Sequence, residues 1–173
     1  PLDWRLRNDL ARAAQTLAEM ERDPKLASEA IRLYREVAQL DPQDWSHWEI
    51  LAAAQIQGGQ PQAALEPLAK SLAILNGIPR SAIPRMLEGM AYLQLGEPAT
   101  ALGAFDEAIR LDLNLADAYS NRGAAYNALG QYQLAIQDLD GAIKLNPEIA
   151  MAYNNRGNSY GNLDQFQRAI EDS

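Results

Sequence analysis

Moved 34 residues along itself, the sequence meets its own pattern: residues 116–139 overlie residues 150–173 with 13 identities in 24 positions. The first copy carries Ala118-Tyr119, Asn121-Arg122-Gly123, Tyr126, Leu129, Gln131, Ala135-Ile136 and Asp138. The second answers with Ala152-Tyr153, Asn155-Arg156-Gly157, Tyr160, Leu163, Gln165, Ala169-Ile170 and Asp172. A period of this length is one supersecondary unit, too small to bury its own apolar face, so the copies must stack and share a core. The chain is thereby limited to a linear array before any single element is assigned.

One period earlier the marks recur more loosely as Gly89, Tyr92, Leu95-Gly96, Ala101, Phe105 and Ala108, and Ala108-Ile109-Arg110-Leu111 is answered by Ala142-Ile143-Lys144-Leu145. Residues 45–78 keep Trp48, Ala52, Gly59, Ala64 and Leu68, followed by a three-residue insertion at 79–81. Residues 11–44 keep Ala18, Ala30, Tyr34, Ala38 and Pro42. The reading is one array over residues 1–173 with units at about 11–44, 45–78, 82–115, 116–149 and a truncated 150–173. The units are read as helical, because the 47% hydrophobic content is dominated by Ala and Leu and aromatics are only 7%, which favours helix over strand. The leading helix spans about 3–22, with Leu6, Leu10, Ala13, Leu17 and Met20 on one stripe, and 25–40 supplies its partner.

An aromatic, a Gly four residues on, an aromatic three later, then Ala, Phe or Leu, Ala and Pro resembles the tetratricopeptide repeat, over residues 11–173. The Asn-Arg-Gly-x-x-Tyr copies look bacterial. The resemblance implies an all-α fold, a right-handed α-solenoid of antiparallel helix pairs. Departures are Leu113 and Asn76 where Pro is usual, Asp164 where Gly is usual, and Pro24 in the first inter-helix turn. Gly89, Gly123 and Gly157 are expected to face Ala101, Ala135 and Ala169, two small residues letting the helices of a pair approach closely. Tyr92, Tyr126 and Tyr160 are expected to fill the wider space further along.

In the family that this chain resembles, the second, fifth, ninth, twelfth and thirteenth positions of each unit line a concave groove. Carried onto this sequence, they give Ile83, Met86, Met90 and Leu93 as an apolar patch, and then an amide-rich floor that includes Asn127, Asn154 and Asn158. Amides can pair with a partner's backbone, so an extended peptide or short helix with apolar anchors at one end suits such a groove. The carboxylate clamp known in the family needs Lys and Asn where this chain has Met86, Met90, Ser120 and Ala124, so recognition of a chaperone tail in that way is rejected. Arg122 and Arg156 vary together with Asp138 and Asp172, whereas Glu88 goes with Ala104, which predicts a structural ion pair within a unit.

Catalysis has no visible carrier: the chain has no Cys, no Gly-rich phosphate loop and a single histidine, His47. Asp44 reads as the N-cap of the helix after Pro42 rather than as a metal ligand beside His47. No cofactor or metal is called for, and the chain is read as a non-enzyme. A net charge of −8 repels phosphate backbones and anionic headgroups, which argues against nucleic acid and membrane surfaces as partners. No apolar run reaches the length of a membrane span. The compartment is cytoplasmic only by default, since a targeting segment upstream of Pro1 is compatible with the sequence.

At the far end Phe166, Ala169 and Ile170 are expected to present an apolar edge with no following unit. The functional expectation is a scaffold that holds a partner protein segment in the groove, as in assembly of a larger complex. The alternatives are an array that self-associates into a homo-oligomer through its C-terminal edge, and a regulatory domain of a larger enzyme.

Overall fold

The computed structural model describes residues 4–21, 23–76 and 82–172 and, among them, ten helices and no strand. These are α1 (Trp4–Glu21), α2 (Pro24–Leu40), α3 (Trp45–Gln57), α4 (Pro61–Leu75), α5 (Ala82–Gln94), α6 (Pro98–Leu111), α7 (Ala116–Ala128), α8 (Tyr132–Leu145), α9 (Ala150–Asn162) and α10 (Phe166–Glu171). The all-α fold of helix pairs is as the 34-residue period requires. Residues 79–81 and the side chains of Leu6, Leu17 and Met20 lie outside the described residues.

The chain forms two compact units, Pro1–Leu87 and Glu88–Ser173, divided within α5. In the first, α1 packs on α2, α2 on α3 and α3 on α4. Its core joins Ala11, Ala30, Ile31, Tyr34, Trp48 and Leu51. In the second, α6 packs on α7, α7 on α8 and α9, α8 on α9, and α9 on α10. There Ala135, Leu139, Ala142 and Ala152 are fully buried, with Tyr119 and Tyr126 packed against them.

Local chemistry sets the helix ends. Asp23 and Asp44 cap α2 and α3, each accepting from the backbone N–H two residues on, at 2.8 and 2.9 Å. Pro24, a departure from the repeat pattern, occupies the first turn of α2, where its missing N–H costs nothing. Gly96 and Gly130 turn the chain with φ of 77° and 72°, and Asp164 takes the same left-handed conformation at 59°. Asp is among the few side chains that tolerate that region. Where Leu113 replaces Pro, Asp112 closes the turn by accepting from the Asn114 N–H at 2.9 Å. Asn146 does the same for Glu148 at 3.1 Å.

The expected small-residue contact is present at Gly157 and Gly123, which lie against Ala169 and Ala135, and a large side chain comes closer still at Gly89 and Gly123. A Cβ on Gly89 would lie 2.5 Å from the Phe105 ring, and one on Gly123 would lie 2.7 Å from Leu139 Cγ. The glycines thus receive a large side chain from one turn beyond Ala101 and Ala135, because a helical side chain leans back towards the N-terminus of its helix. For Gly123 the Ala135 carbonyl oxygen adds a second neighbour at 3.3 Å. Among the described residues, Gly157 meets the Ala169 carbonyl oxygen, at 3.4 Å, and Asp172 Cβ, at 3.6 Å.

Arg122 fulfils the predicted pairing and extends it. Its Nε and Nη2 donate to the two carboxylate oxygens of Asp138, both at 2.7 Å, while Nη1 donates to Asp106 on α6 at 2.7 Å. Arg156 repeats the arrangement with Asp172, at 2.8 and 2.5 Å, and with Asp140 on α8 at 2.6 Å. Each guanidinium also lies over a tyrosine ring, Tyr119 at 5.6 Å and Tyr153 at 5.5 Å.

Gly89→Ala and Gly123→Ala should each cost about 1–3 kcal/mol in urea unfolding through overpacking, whereas Gly157→Ala should gain up to about 1 kcal/mol from helix propensity. Glu49 on α3 carries a separate, pH-dependent expectation. It is half-buried with Oε2 lacking a partner among the described residues, and desolvation pushes its carboxyl up to about 6 from 4.5. The folded chain keeps a proton that the unfolded chain releases near 4.5, so this contribution is complete below that value and lost as pH rises through 6. Glu49→Gln should therefore raise stability by about 1 kcal/mol above pH ~7, discounted for partial wetting, and leave it unchanged near pH ~4. Urea melts at the two pH values measure the difference.

Candidate functional site

The positions expected to line a groove fall on the first helix of each pair. On α5 they are Ile83, Met86, Met90 and Leu93, spaced by three and four residues and so on one side of the helix. Ile83 is exposed, and Met86, Met90 and Leu93 are partly so. Methionine adapts its shape to what it meets, which makes this stripe a deformable apolar surface.

In the second unit α7 and α9 pack directly on each other. Asn127 joins them: its Nδ2 donates to the Asn155 carbonyl at 2.9 Å, and its Oδ1 lies 2.7 Å from the Ser159 hydroxyl, which is also 2.9 Å from the same carbonyl. Ser159 is fully buried. The Asn127 amide is thus occupied by contacts between the helices, which leaves it little capacity for a ligand. Asn154 and Asn158 are exposed, and neither side-chain amide has a hydrogen-bond partner among the described residues; Asn158 offers only its backbone carbonyl, to Asn162 at 2.8 Å. Met151, 54% exposed, lies three residues before Asn154 on the same helix. Ser120 occupies the position in α7 that Asn154 holds in α9, and its Oγ is buried without a partner among the described residues.

The arginines are committed to their aspartates, with side chains only 19% exposed. Hydrogen bonds donated to Asp138 and Asp172 raise the guanidinium pKa values further above their ordinary range, so both stay charged at any pH the fold survives. Sequence reasoning missed Asp106 and Asp140 as partners, although their spacing of one period is the signal that could have found them. Asp41, Asp44 and His47 place one ligand atom each within 4.8 Å of one another. Asp44 Oδ1 is held by the Ser46 N–H and hydroxyl, at 2.9 and 2.6 Å, and these bonds lower its pKa and fit the capping role. At the far end Phe166 and Ile170 are 61% and 68% exposed, and Ala169 is partly covered.

Three models of the tetratricopeptide repeat match the chain, at residues 26–77, 89–130 and 116–149. No curated protein sequence matches it. Among solved structures, a thermophilic TPR protein of Thermus thermophilus superposes with a TM-score of 0.78 at 21% identity, covering 96% of this chain and 87% of that one. The protein MamA does so with a TM-score of 0.70 at 26% identity, covering 90% and 89%. The second TPR of Spaghetti (RPAP3), solved with an HSP90 peptide, gives 0.53 at 26% identity, covering 54% and 87%. No helix among the described residues is long and apolar enough to cross a membrane. With repeat models spread over residues 26–149, and likeness in fold along nearly the whole chain, this chain belongs to the tetratricopeptide-repeat proteins, whose fold serves protein interaction.

Proposed function

We propose that the chain is a scaffold that holds a partner's peptide segment along the first helices of its units. The observation that carries this reading is the stripe of α9 where Met151 is exposed and Asn154 and Asn158 offer amides with no partner among the described residues. Unoccupied amides on a helical floor match the donors and acceptors of an extended backbone, and Met86, Met90 and Leu93 supply apolar anchoring on α5. The RPAP3 domain, solved with an HSP90 peptide, supports peptide capture as a use of this fold. Met86, Met90, Ser120 and Ala124 stand where a carboxylate clamp would need Lys and Asn, so the partner is read through apolar side chains and backbone rather than through a terminal carboxylate.

Peptides selected from a displayed random library by residues 1–173 provide the test. Met86→Glu/Met90→Glu and Asn154→Ala/Asn158→Ala should each weaken the selected peptides at least about tenfold, roughly 1.4 kcal/mol, with unchanged circular dichroism. Peptides that bind all three proteins equally would remove the groove from consideration.

A second reading, self-association, rests on the exposure of Phe166 and Ile170 on one short helix. It predicts a mass that rises with concentration in light scattering and returns to the monomer value in Phe166→Glu/Ile170→Glu. A constant monomer mass for the unaltered chain rejects it.

A further inference from the structure

In three units the eleventh position is Tyr92, Tyr126 or Tyr160, and its carbonyl accepts the N–H five residues on, from Glu97, Gln131 or Gln165, each at 2.9 Å. The same bond runs from Gln60 to Gln55 at 2.7 Å, so Gln55 stands in the aromatic's place in the unit at 45–78. Glutamine lacks the ring. Where the ring is missing there is a cavity of about 280 Å³ between α2, α3 and α4, lined by Arg35, Trp48, Gln55, Gln62, Glu66 and Lys70 among others. Gln55 is 2% exposed, and its Oε1 has no hydrogen-bond partner among the described residues.

We propose that this cavity is a second binding site, taking a peptide segment that places an acidic side chain next to an aliphatic one. Charge selects the acidic group. In a chain of net charge −8 the cavity carries two cations, Arg35 and Lys70, against the single carboxylate of Glu66. Lys70 lies over the Trp48 ring at 4.2 Å and pairs with Glu66 at 2.8 Å, but Glu66 is 76% exposed and easily displaced. Arg35 has no hydrogen-bond partner among the described residues. An acidic side chain is therefore favoured at this spot. The apolar neighbour follows from the adjoining trough of about 450 Å³, which shares Trp48 and Lys70 and adds Pro42, Ala73 and Ile74, the last 36% exposed.

The cavity is distinct from the groove. By register the groove positions of α3 are Ser46, Glu49, Ala53, Ile56 and Gln57, whereas Trp48, Leu51 and Gln55 line the cavity from another stripe of the helix. No groove ligand would occupy both.

The probe is the capped peptide acetyl-Leu-Glu-Leu-amide, titrated into isotope-labelled protein while the Trp48 indole and Gln55 side-chain amide signals are followed by NMR. Saturable shifts at both are expected. The peptide with Gln in place of Glu should bind at least about fivefold more weakly, and so should the Glu peptide in ~0.5 M salt. Gln55→Tyr, which restores the aromatic of the other units, should abolish the shift at Trp48 without lowering the melting temperature. Arg35→Gln/Lys70→Gln provides an independent variant and should weaken the Glu peptide at least about fivefold. Equal binding of the Glu and Gln peptides, no saturable shift, or shifts confined to the Met86 and Met90 methyls would overturn the proposal.

Discussion

Where α5 meets α6 at Gly89 and α7 meets α8 at Gly123, the helices can pair closely because one side chain is missing. Phe105 and Leu139 are fully buried, and their rings or methyls occupy the volume that a Cβ on Gly89 or Gly123 would need. Interiors are close-packed, so that volume cannot be shared, and helix separation is set by this one deletion per pair. In the unit at 45–78 the same two positions hold Ala52 and Leu68, both buried. Polar contacts between the paired helices depend on that spacing. A two-pronged bond from Arg122 to Asp138 at 2.7 Å needs both helix axes held to within a few tenths of an ångström.

The arginines then do what apolar packing cannot, which is to discriminate one register from another. An Ala-rich and Leu-rich interface tolerates sliding, because many apolar neighbours are nearly equivalent. Arg122 spans Asp138 in its own unit and Asp106 in the unit before, and Arg156 repeats this with Asp172 and Asp140. Displacing either helix by one turn would leave Asp138, 8% exposed, as a charge without a partner. Such an orphan costs several kcal/mol, far more than the net gain of the intact pair. The pairing therefore acts mainly against misaligned stacks rather than as a large source of stability.

Periodicity made the helix pairs legible, and the covariation of Arg with Asp made the pair within a unit legible too. What was missed has a common physical origin, the direction in which a side chain leans. Counting positions placed Ala101 opposite Gly89, but a helical side chain covers the turn before its own Cα, which brings the Phe105 ring closest to that glycine. The same lean lets Arg122 reach back to Asp106, and period counting within one unit could not show it. Asn127 illustrates a second limit. Its type suits a ligand-facing amide, yet only coordinates reveal that Asn155 and Ser159 already occupy it.

Departures from the repeat separate into those the backbone absorbs and one it does not. Asp164 adopts the left-handed turn of Gly96 and Gly130, Asp112 closes a turn that lacks proline, and Pro24 fits the first turn of α2. In each case a different side chain preserves the path of the chain. Gln55 also preserves the path, since its carbonyl makes the bond that Tyr92, Tyr126 and Tyr160 make. Its side chain, however, has neither the volume of the ring nor, among the described residues, a partner for its oxygen. A repeat array can vary without loss wherever the backbone is all that a position must supply. Where a position must also fill space, the backbone bond alone does not suffice, and Gln55 stands in the lining of a cavity with Trp48, Arg35 and Lys70.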